Sequence, residues 1–584
     1  MSEAQDGEGF SLPIAIGVTG HRHLAPAHVA SVEAAVVSIL EDIRKKSRQS
    51  PLLILSSLAE GADRLVSRIA MDRFGAAMIA VLPQPAEVYR TSFESEESKA
   101  EFDVLLKRAS HVVVPSPQDA GAAASAVPDE AGKRHREYAR AGFWVALHAH
   151  VLIALWDGDK AQGVGGTAEV VQAKRSGHYP GLNDGDPLDC EEAGAVAHVV
   201  TARAGATAPE GVGTVKWTYT EAAEFRSVDP GVGYRRTLFA VGMINGLCRH
   251  DRRTLAAWSD QEVPLAKRDE MVADALPAVS YIAALRAAAS HFARRYQKFT
   301  HWTVVCLALA TLAAGILAFL GRWIGPTLSA VLSVTTLTVG YALWAYASKW
   351  AQWQRKHLDL RVLAEGGRVQ LAWLSCGVRI CVADHYHPTQ AHAADWVRRA
   401  QRTAWLLDVV RQPQRGESGP QPEHDKVASA AAVWVRGQVR YFLGSQGVLK
   451  TYRRQGRVFA MVALACVVVG VIIGAGGKVL YFLPGAQSFV DEVLILKIGK
   501  VVLALTAAIK AYQAHMAFAD LERSFGTSAH LFTVADEALH KVGDSGDQRR
   551  RLTDLLVALG RAALVENIGW AQLKRQRTLR PPLG

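Results

Sequence analysis

The chain has 584 residues, too many for one ordinary hydrophobic core, so two or three domains are expected. Hydrophobic residues make up 49%, more than a soluble chain usually needs, and charged residues still reach 21%, so a membrane part is expected to share the chain with sizeable soluble parts. The formal net charge is +11, from 66 Lys and Arg against 55 Asp and Glu, and its position along the chain decides between nucleic acid, anionic lipid and topogenic loops.

The opening residues, MSEAQDGEGF, are acidic and polar and lack the basic start and apolar core of a secretory signal, so the first domain is expected to stay in the cytoplasm. Residues 12–18 (LPIAIGV) form a short apolar run that ends in Gly17, Val18, Thr19, Gly20, His21 and Arg22. Helical spacing follows through Val29, Val32, Val36 and Ile39, giving a strand, a glycine turn and a helix. Residues 52–55 form a second strand, followed by Ser56, Ser57, Leu58, Ala59, Glu60, Gly61, Ala62 and Asp63, and by a helix carrying Leu65, Val66 and Ile69. Residues 78–82, 111–115 and 151–156 are further strands with helices between them. The alternation predicts an α/β domain over residues 1–205, a doubly wound, Rossmann-like parallel sheet with ligand sites beyond the carboxyl ends of its strands.

The loop after Trp156 carries Asp157 and Gly158, then Gly163, Val164, Gly165, Gly166, Thr167 and Ala168 at the start of an apolar helix. Glycines there let backbone N–H groups approach a phosphate, and a helix N-terminus adds partial positive charge. The expected ligand contacts are Gly17, Thr19, Gly20, His21, Arg22, Ser56, Ser57, Glu60, Gly61, Ala62, Asp63, Asp157, Gly158, Gly165, Gly166 and Thr167. His21, Arg22 and Asp63 suit phosphate or ribose, and Glu60 suits ribose hydroxyls or a base. The opposing reading is structural: α/β folds use glycines simply to turn, Arg22 and Asp63 pair across the sheet end, and His21 caps a helix.

Residues 206–277 are read as a connecting helical region. Beyond it, residues 299–321 and 323–348 carry no formal charge, separated by Arg322, and residues 458–477 form a third such run between Arg457 and Lys478. Each has about the 20 residues that a helix needs to cross a bilayer core. The third holds Gly470 and Gly474, a small-xxx-small pair that permits close helix approach. A fourth span is expected over residues 489–509, although it includes Asp491, Glu492, Lys497 and Lys500. Two hairpin domains follow, over residues 278–425 and 426–584. Basic residues flank their open ends, with Arg294, Arg295 and Lys298 before the first span, Lys349, Arg355 and Lys356 after the second, and Arg453, Arg454 and Arg457 before the third. By the positive-inside rule both termini, and the long segment between the hairpins, are expected to face the cytoplasm. This accounts for much of the basic excess without a nucleic acid polymer.

The hairpins read as copies, with Tyr296 matching Tyr452, and Asp359-Leu360 matching Asp520-Leu521. Periodic apolar residues on both sides of the spans extend the membrane helices into cytoplasmic stalks. The six cysteines, Cys190, Cys248, Cys306, Cys376, Cys381 and Cys466, show no C-x-x-C spacing, and neither disulfides nor a metal is expected.

GVTGHR at Gly17, LAEGADRL at Leu58, and WDG followed by GVGGTA resemble the SLOG superfamily, the Rossmann-like fold shared by DprA and the LOG phosphoribohydrolases. AEGGRVQLAW at Ala364 and LGRAALVENIGWAQLKRQR at Leu559 resemble SLATT domains, two-transmembrane modules found beside SLOG domains in bacterial conflict systems. The resemblance implies a homo-oligomeric antiviral effector with no cofactor. In that picture its SLOG domain senses a nucleotide-derived messenger, a cyclic nucleotide or an ADP-ribose derivative, and its SLATT helices perforate the inner membrane in abortive infection. It also implies a signal-producing nucleotidyltransferase or TIR enzyme as a partner acting through the ligand.

LOG enzymes carry a P-G-G-x-G-T-x-x-E loop. Aligning Gly166-Thr167 with it puts Gln162 at the proline, Val164 at the second glycine and Val170 at the glutamate. Glu169 falls one residue early, about 100° around a helix, which weighs against glycosidic hydrolysis. No catalytic residue is assigned, and the alternatives to a sensor are a membrane-anchored hydrolase of the LOG type and a non-catalytic membrane scaffold. Lys497 and Lys500 lie on one helical face and either line a pore or snorkel to an interface.

Overall fold

A computed structural model describes residues 10–115, 130–159, 165–182, 193–219, 230–251, 280–387, 395–411, 424–445, 447–481, 492–541 and 548–576. The chain divides into two compact units, one made of Met1–Ala288, Gly366–Leu374 and Arg379–Pro422, the other of Ala289–Glu365, Ser375–Val378 and Glu423–Gly584.

The first unit is built on a seven-stranded sheet. Its elements run β1 (Ile14–Gly20), α1 (Val29–Lys46), β2 (Leu52–Ser56), α2 (Ala62–Phe74), β3 (Ala77–Val81), α3 (Ala86–Arg90), α4 (Glu96–Arg108) and β4 (His111–Val113). They continue through α5 (Glu130–His148), β5 (Val151–Trp156), α6 (Thr167–Ser176), β6 (Ala195–Val200), β7 (Val215–Thr218) and α7 (Pro230–His250). The spatial order is β4-β3-β2-β1-β5-β6-β7, parallel throughout except for the antiparallel β6–β7 pair. The expected α/β domain is present, with two strands more than the five expected: β6, and β7, which extends the sheet into the stretch 206–277 expected to be helical.

Parallel strands buried on both faces need continuous apolar runs, and β1, β2 and β5 supply them. Ala15, Leu53, Leu55, Ile79, Leu152, Ala154 and Val196 face α5 and α6 in one core layer. The alternate residues Ile14, Ile16, Leu52 and Ile54 are fully or almost fully buried as well. Leu406 joins the first layer from a further helix, α11 (Asp395–Arg411), whose Trp405 ring stacks on His148. The chain order turns at β1: strands β2 to β4 lie on one side of it and β5 to β7 on the other, so the crevice of an open α/β sheet falls between the carboxyl ends of β1 and β5.

Asp408 of α11 caps the next long helix, α8 (Ser280–Ile324), accepting from the amides of Tyr281 and Ile282 at 3.0 and 2.9 Å.

In the second unit α8 continues and α9 (Pro326–Ala345) returns after Gly325, which has φ +89°. The two helices touch through small residues: Ser329 Oγ donates to the Leu317 carbonyl at 2.6 Å, Ser333 Oγ to that of Ala314 at 3.1 Å, and a side chain at Gly340 would strike Ala310. Helix α10 (Trp353–Ser375) follows. The second hairpin is α12 (His424–Leu443), α13 (Val448–Tyr481), α14 (Glu492–Met516), α15 (Phe518–Lys541) and α16 (Gln548–Gln576). Gly470 of α13 lies against Val502 of α14. Each hairpin is left through a non-glycine residue in the left-handed region, Gln352 at φ +50° and Ala517 at φ +51°.

Three helical stretches are long and apolar enough to cross a membrane: Tyr281–Gly321, Pro326–Trp350 and Val427–Ile473. Their apolar side chains are outward, as Leu309, Val334, Val339, Leu464 and Ile472 show. The expected fourth span begins outside the described residues; its described part is the helix α14, which is not among the three.

Candidate functional site

The loops that follow β1 and β2 interlock. The Ala62 amide donates to the His21 carbonyl oxygen at 3.0 Å, and the His21 amide donates to the Leu155 carbonyl at 2.9 Å. A Cβ at Gly20 would strike Ala62 and the Leu155 carbonyl, and one at Gly61, where φ is +74°, would strike the carbonyls of His21 and Arg22. Gly17 admits Val145 of α5 and Ala149 just beyond it, and Gly165 at φ +83° lies against the Ala139 backbone. These glycines are therefore required first by the chain's own packing.

At the crevice, His21 and Asp157 come together with Arg203, a residue that sequence reasoning missed. The Asp157 amide donates to His21 Nε2 at 2.9 Å, and Arg203 Nε lies 3.0 Å from Asp157 Oδ2. Burial depresses the His21 pKa, and a neutral ring with Nε2 as acceptor agrees with the donated amide. Burial works to raise Asp157, but the Asp159 amide, His21 and Arg203 outweigh it and hold the carboxyl below its ordinary value. Gly158, at φ +95°, faces His198 of β6, whose Nε2 lies 3.0 Å from the Trp156 carbonyl oxygen. His21 thus pairs with Asp157 rather than capping a helix.

Between β1 and β3 the edge is different in character. Asp63 is 5% exposed, and its Oδ2 lies 3.4 Å from the Ala59 amide. Burial pushes its carboxyl up to about 7, opposed by the amides of Ala59 and Ser57 and by Arg22. Ser56 Oγ accepts from the Leu58 amide at 3.1 Å and holds Leu58 in the left-handed region at φ +54°. Glu60 is taken by the Ser98 hydroxyl. Arg64, 2% exposed, joins the same network, donating to the carbonyls of Leu58 and Ser98 and to Glu101. Arg22 is exposed, with its guanidinium 5.4 Å from the centroid of the Tyr138 ring. Among the described residues Arg22 makes no hydrogen bond or ion pair, so it does not form a salt bridge with Asp63. Tyr138 packs edge-on against buried Tyr89 at 5.8 Å.

Residues 160–164, including Gly163 and Val164, lie outside the described residues. Gly166 is the N-cap of α6, Thr167 begins that helix, and Glu169 Oε2 accepts from the Gly165 amide at 2.6 Å. Glu169 is thereby engaged as a cap of its own helix. Thr19 is half-buried at the end of β1, opposite Ala154. The side chains of Lys497 and Lys500 lie outside the described residues, although both positions are in α14.

Among the described residues no group of three His, Cys, Asp or Glu side chains is arranged to hold a metal ion. What the edge presents is an exposed guanidinium over an aromatic face, with helix N-termini and backbone amides beside it, chemistry that suits an anion attached to a flat ring. No protein-family model matches the chain, and neither does any curated protein.

Proposed function

We propose that the chain is a SLOG-type sensor joined to SLATT-type membrane hairpins. In this reading a nucleotide-derived messenger binds at the carboxyl edge of the sheet and gates or assembles a homo-oligomeric pore in the bacterial inner membrane, ending growth of an infected cell. The observation that carries it is Arg22, exposed over Tyr138 at the ends of β1 and β2 in a chain that also holds three helices able to cross a bilayer. Further support comes from α8, which carries the first apolar run and has its first turn capped by Asp408. The reading adds α14 as a fourth span, keeps both termini in the cytoplasm and gives Lys497 and Lys500 a place along the water path. Ligand opens such a pore only by binding the open state more tightly than the closed one.

One observation favours a hydrolase anchored to the membrane: a carboxyl that titrates at about 7 near the sheet edge is a general acid-base candidate. Asp63, however, is enclosed and receives the amides of its own loop, and Glu169 caps α6. Both carboxylates hold the protein together, and the sensor is the stronger reading.

The test is reconstitution in dye-loaded liposomes with fractionated nucleotide extracts from infected and uninfected cells. Leakage that requires the infected extract and disappears in Arg22→Ala is the expected result. Nucleotide binding without leakage from any fraction overturns the pore, and ligand breakdown by the purified chain overturns the sensor in favour of the hydrolase. If leakage occurs, replacing Lys497 and Lys500 with glutamine changes conductance; an unchanged conductance removes both from the water path.

A further inference from the structure

A cleft of about 360 Å³ opens at the base of the second hairpin, where α13 passes the junction of α14 and α15. Its basic side is Arg453 and Arg457, its acidic side Asp520 and Glu522, and Phe518 lines it between them. A side chain at Gly456 would press on Phe518 Cβ at 3.1 Å, so the glycine lets the aromatic ring approach α13. Ala517, the left-handed break between the two helices at φ +51°, also lines the cleft, and a non-glycine residue is held there only by the surrounding packing.

The charges are not equivalent. Arg453 Nε donates to Glu522 Oε1 at 2.6 Å, while Arg457 is exposed and makes no hydrogen bond or ion pair among the described residues. Asp520 Oδ1 lies 3.9 Å from Arg523 Nη1 on the same helix, and a carboxylate with partners of its own still accepts from several donors at once. Directly after Arg457 the surface of α13 becomes apolar, with Val458, Met461 and Val462 outward. A guanidinium and a carboxylate therefore line one cleft where a polar helix end turns into an apolar span.

We propose that this cleft binds the headgroup of a zwitterionic phospholipid carrying a primary ammonium, with the phosphate on Arg457, the ammonium on the Asp520 and Glu522 side and the acyl chains along Val458, Met461 and Val462. The balance of two cations and two carboxylates on the lining is the reason for a zwitterion rather than an anion: a purely anionic headgroup gains Arg457 and meets the repulsion of both acids. A primary ammonium donates three hydrogen bonds, which a quaternary choline lacks. The site rests on the reading that α13 crosses the bilayer.

The experiment uses the full chain, purified in detergent and transferred to nanodiscs of phosphatidylcholine doped with equal small amounts of phosphatidylethanolamine and phosphatidylglycerol. Retained lipid is read by native mass spectrometry. Phosphatidylethanolamine is expected to be held about tenfold over phosphatidylcholine, the scale of one charge-assisted hydrogen bond. Asp520→Asn abolishes the preference and shifts retention towards phosphatidylglycerol, while Arg457→Gln lowers retention of all three lipids, since each carries the phosphate, with helicity unchanged in both. Equal retention of the three lipids, a preference that survives Asp520→Asn, or retention unaffected by Arg457→Gln overturns the site. Soluble glycerophosphoethanolamine, added in competition, separates the sources: displacement of the lipid at comparable concentration assigns the cleft to a soluble phosphodiester and overturns the lipid. A chain recovered without detergent in the soluble fraction overturns the spanning reading, whereas a membrane-integrated chain without lipid preference overturns the cleft alone.

Discussion

The carbonyl oxygen of His21 accepts the Ala62 amide at 3.0 Å and would meet the Cβ of any residue that replaced Gly61. One peptide group therefore both ties the β1 and β2 loops together and dictates a glycine. Gly61→Ala is expected to place a side chain against two carbonyls at φ +74°, costing about 2 kcal/mol or more. Hydrogen exchange on the full chain checks this: amides of residues 20–22 and 59–63 should lose protection while those of α13 keep theirs.

Arg22 is exposed and rests only on a ring face among the described residues, so its removal should change binding and not folding. With Arg22→Ala the affinity for an anionic nucleotide drops at least about tenfold, the melting temperature stays put, and Arg22→Lys restores only part of the binding because it lacks the planar fork. A variant that melts early instead would assign Arg22 a structural role.

Asp63 gives the unit a pH dependence of unusual sign. Folded, the carboxyl keeps its proton up to about 7; unfolded, it releases it near 3.8, so between those values the folded state binds more protons. Its contribution is complete below 3.8 and is lost as pH rises through 7. His21 and Asp157, both depressed, act oppositely and lose stability as pH falls. The useful measurement is the melting difference between wild type and Asp63→Asn from pH 4 to 8. It should move in favour of the variant as pH rises, and a flat difference would mean that Asp63 is ionised throughout.

The α/β class was legible because buried parallel strands need apolar runs and each run here is followed by glycine and then by helical spacing. The partners of those glycines were not legible: Gly20 and Gly61 read as phosphate turns, while the surfaces that demand them belong to the neighbouring loop. Arg203 went unseen because the apolar run of β6, which ends three residues before it, is interrupted by His198, so no strand end marked the loop. Helix α11 falls within the stretch assigned to the first hairpin domain, yet it packs on the sheet, since apolar spacing fixes a helix face and never names its partner. The hairpins were the plainest part, because long charge-free runs have few other uses.

That plainness extends to a last test, on how the first hairpin is held. In lipid, apolar side chains gain nothing by leaving the hydrocarbon, so α8 and α9 depend on close approach and on a few interhelical hydrogen bonds. Gly340 lies where the helices are nearest: a Cβ there would sit 2.8 Å from Ala310 Cβ. Gly340→Leu should force them apart and cost about 1–3 kcal/mol, the range for overpacking. Ser329→Ala, which removes the 2.6 Å bond to Leu317, should cost only about 0.6 kcal/mol. Thermal unfolding in detergent ranks the two. If the serine change proves the larger, hydrogen bonding rather than close packing closes this hairpin.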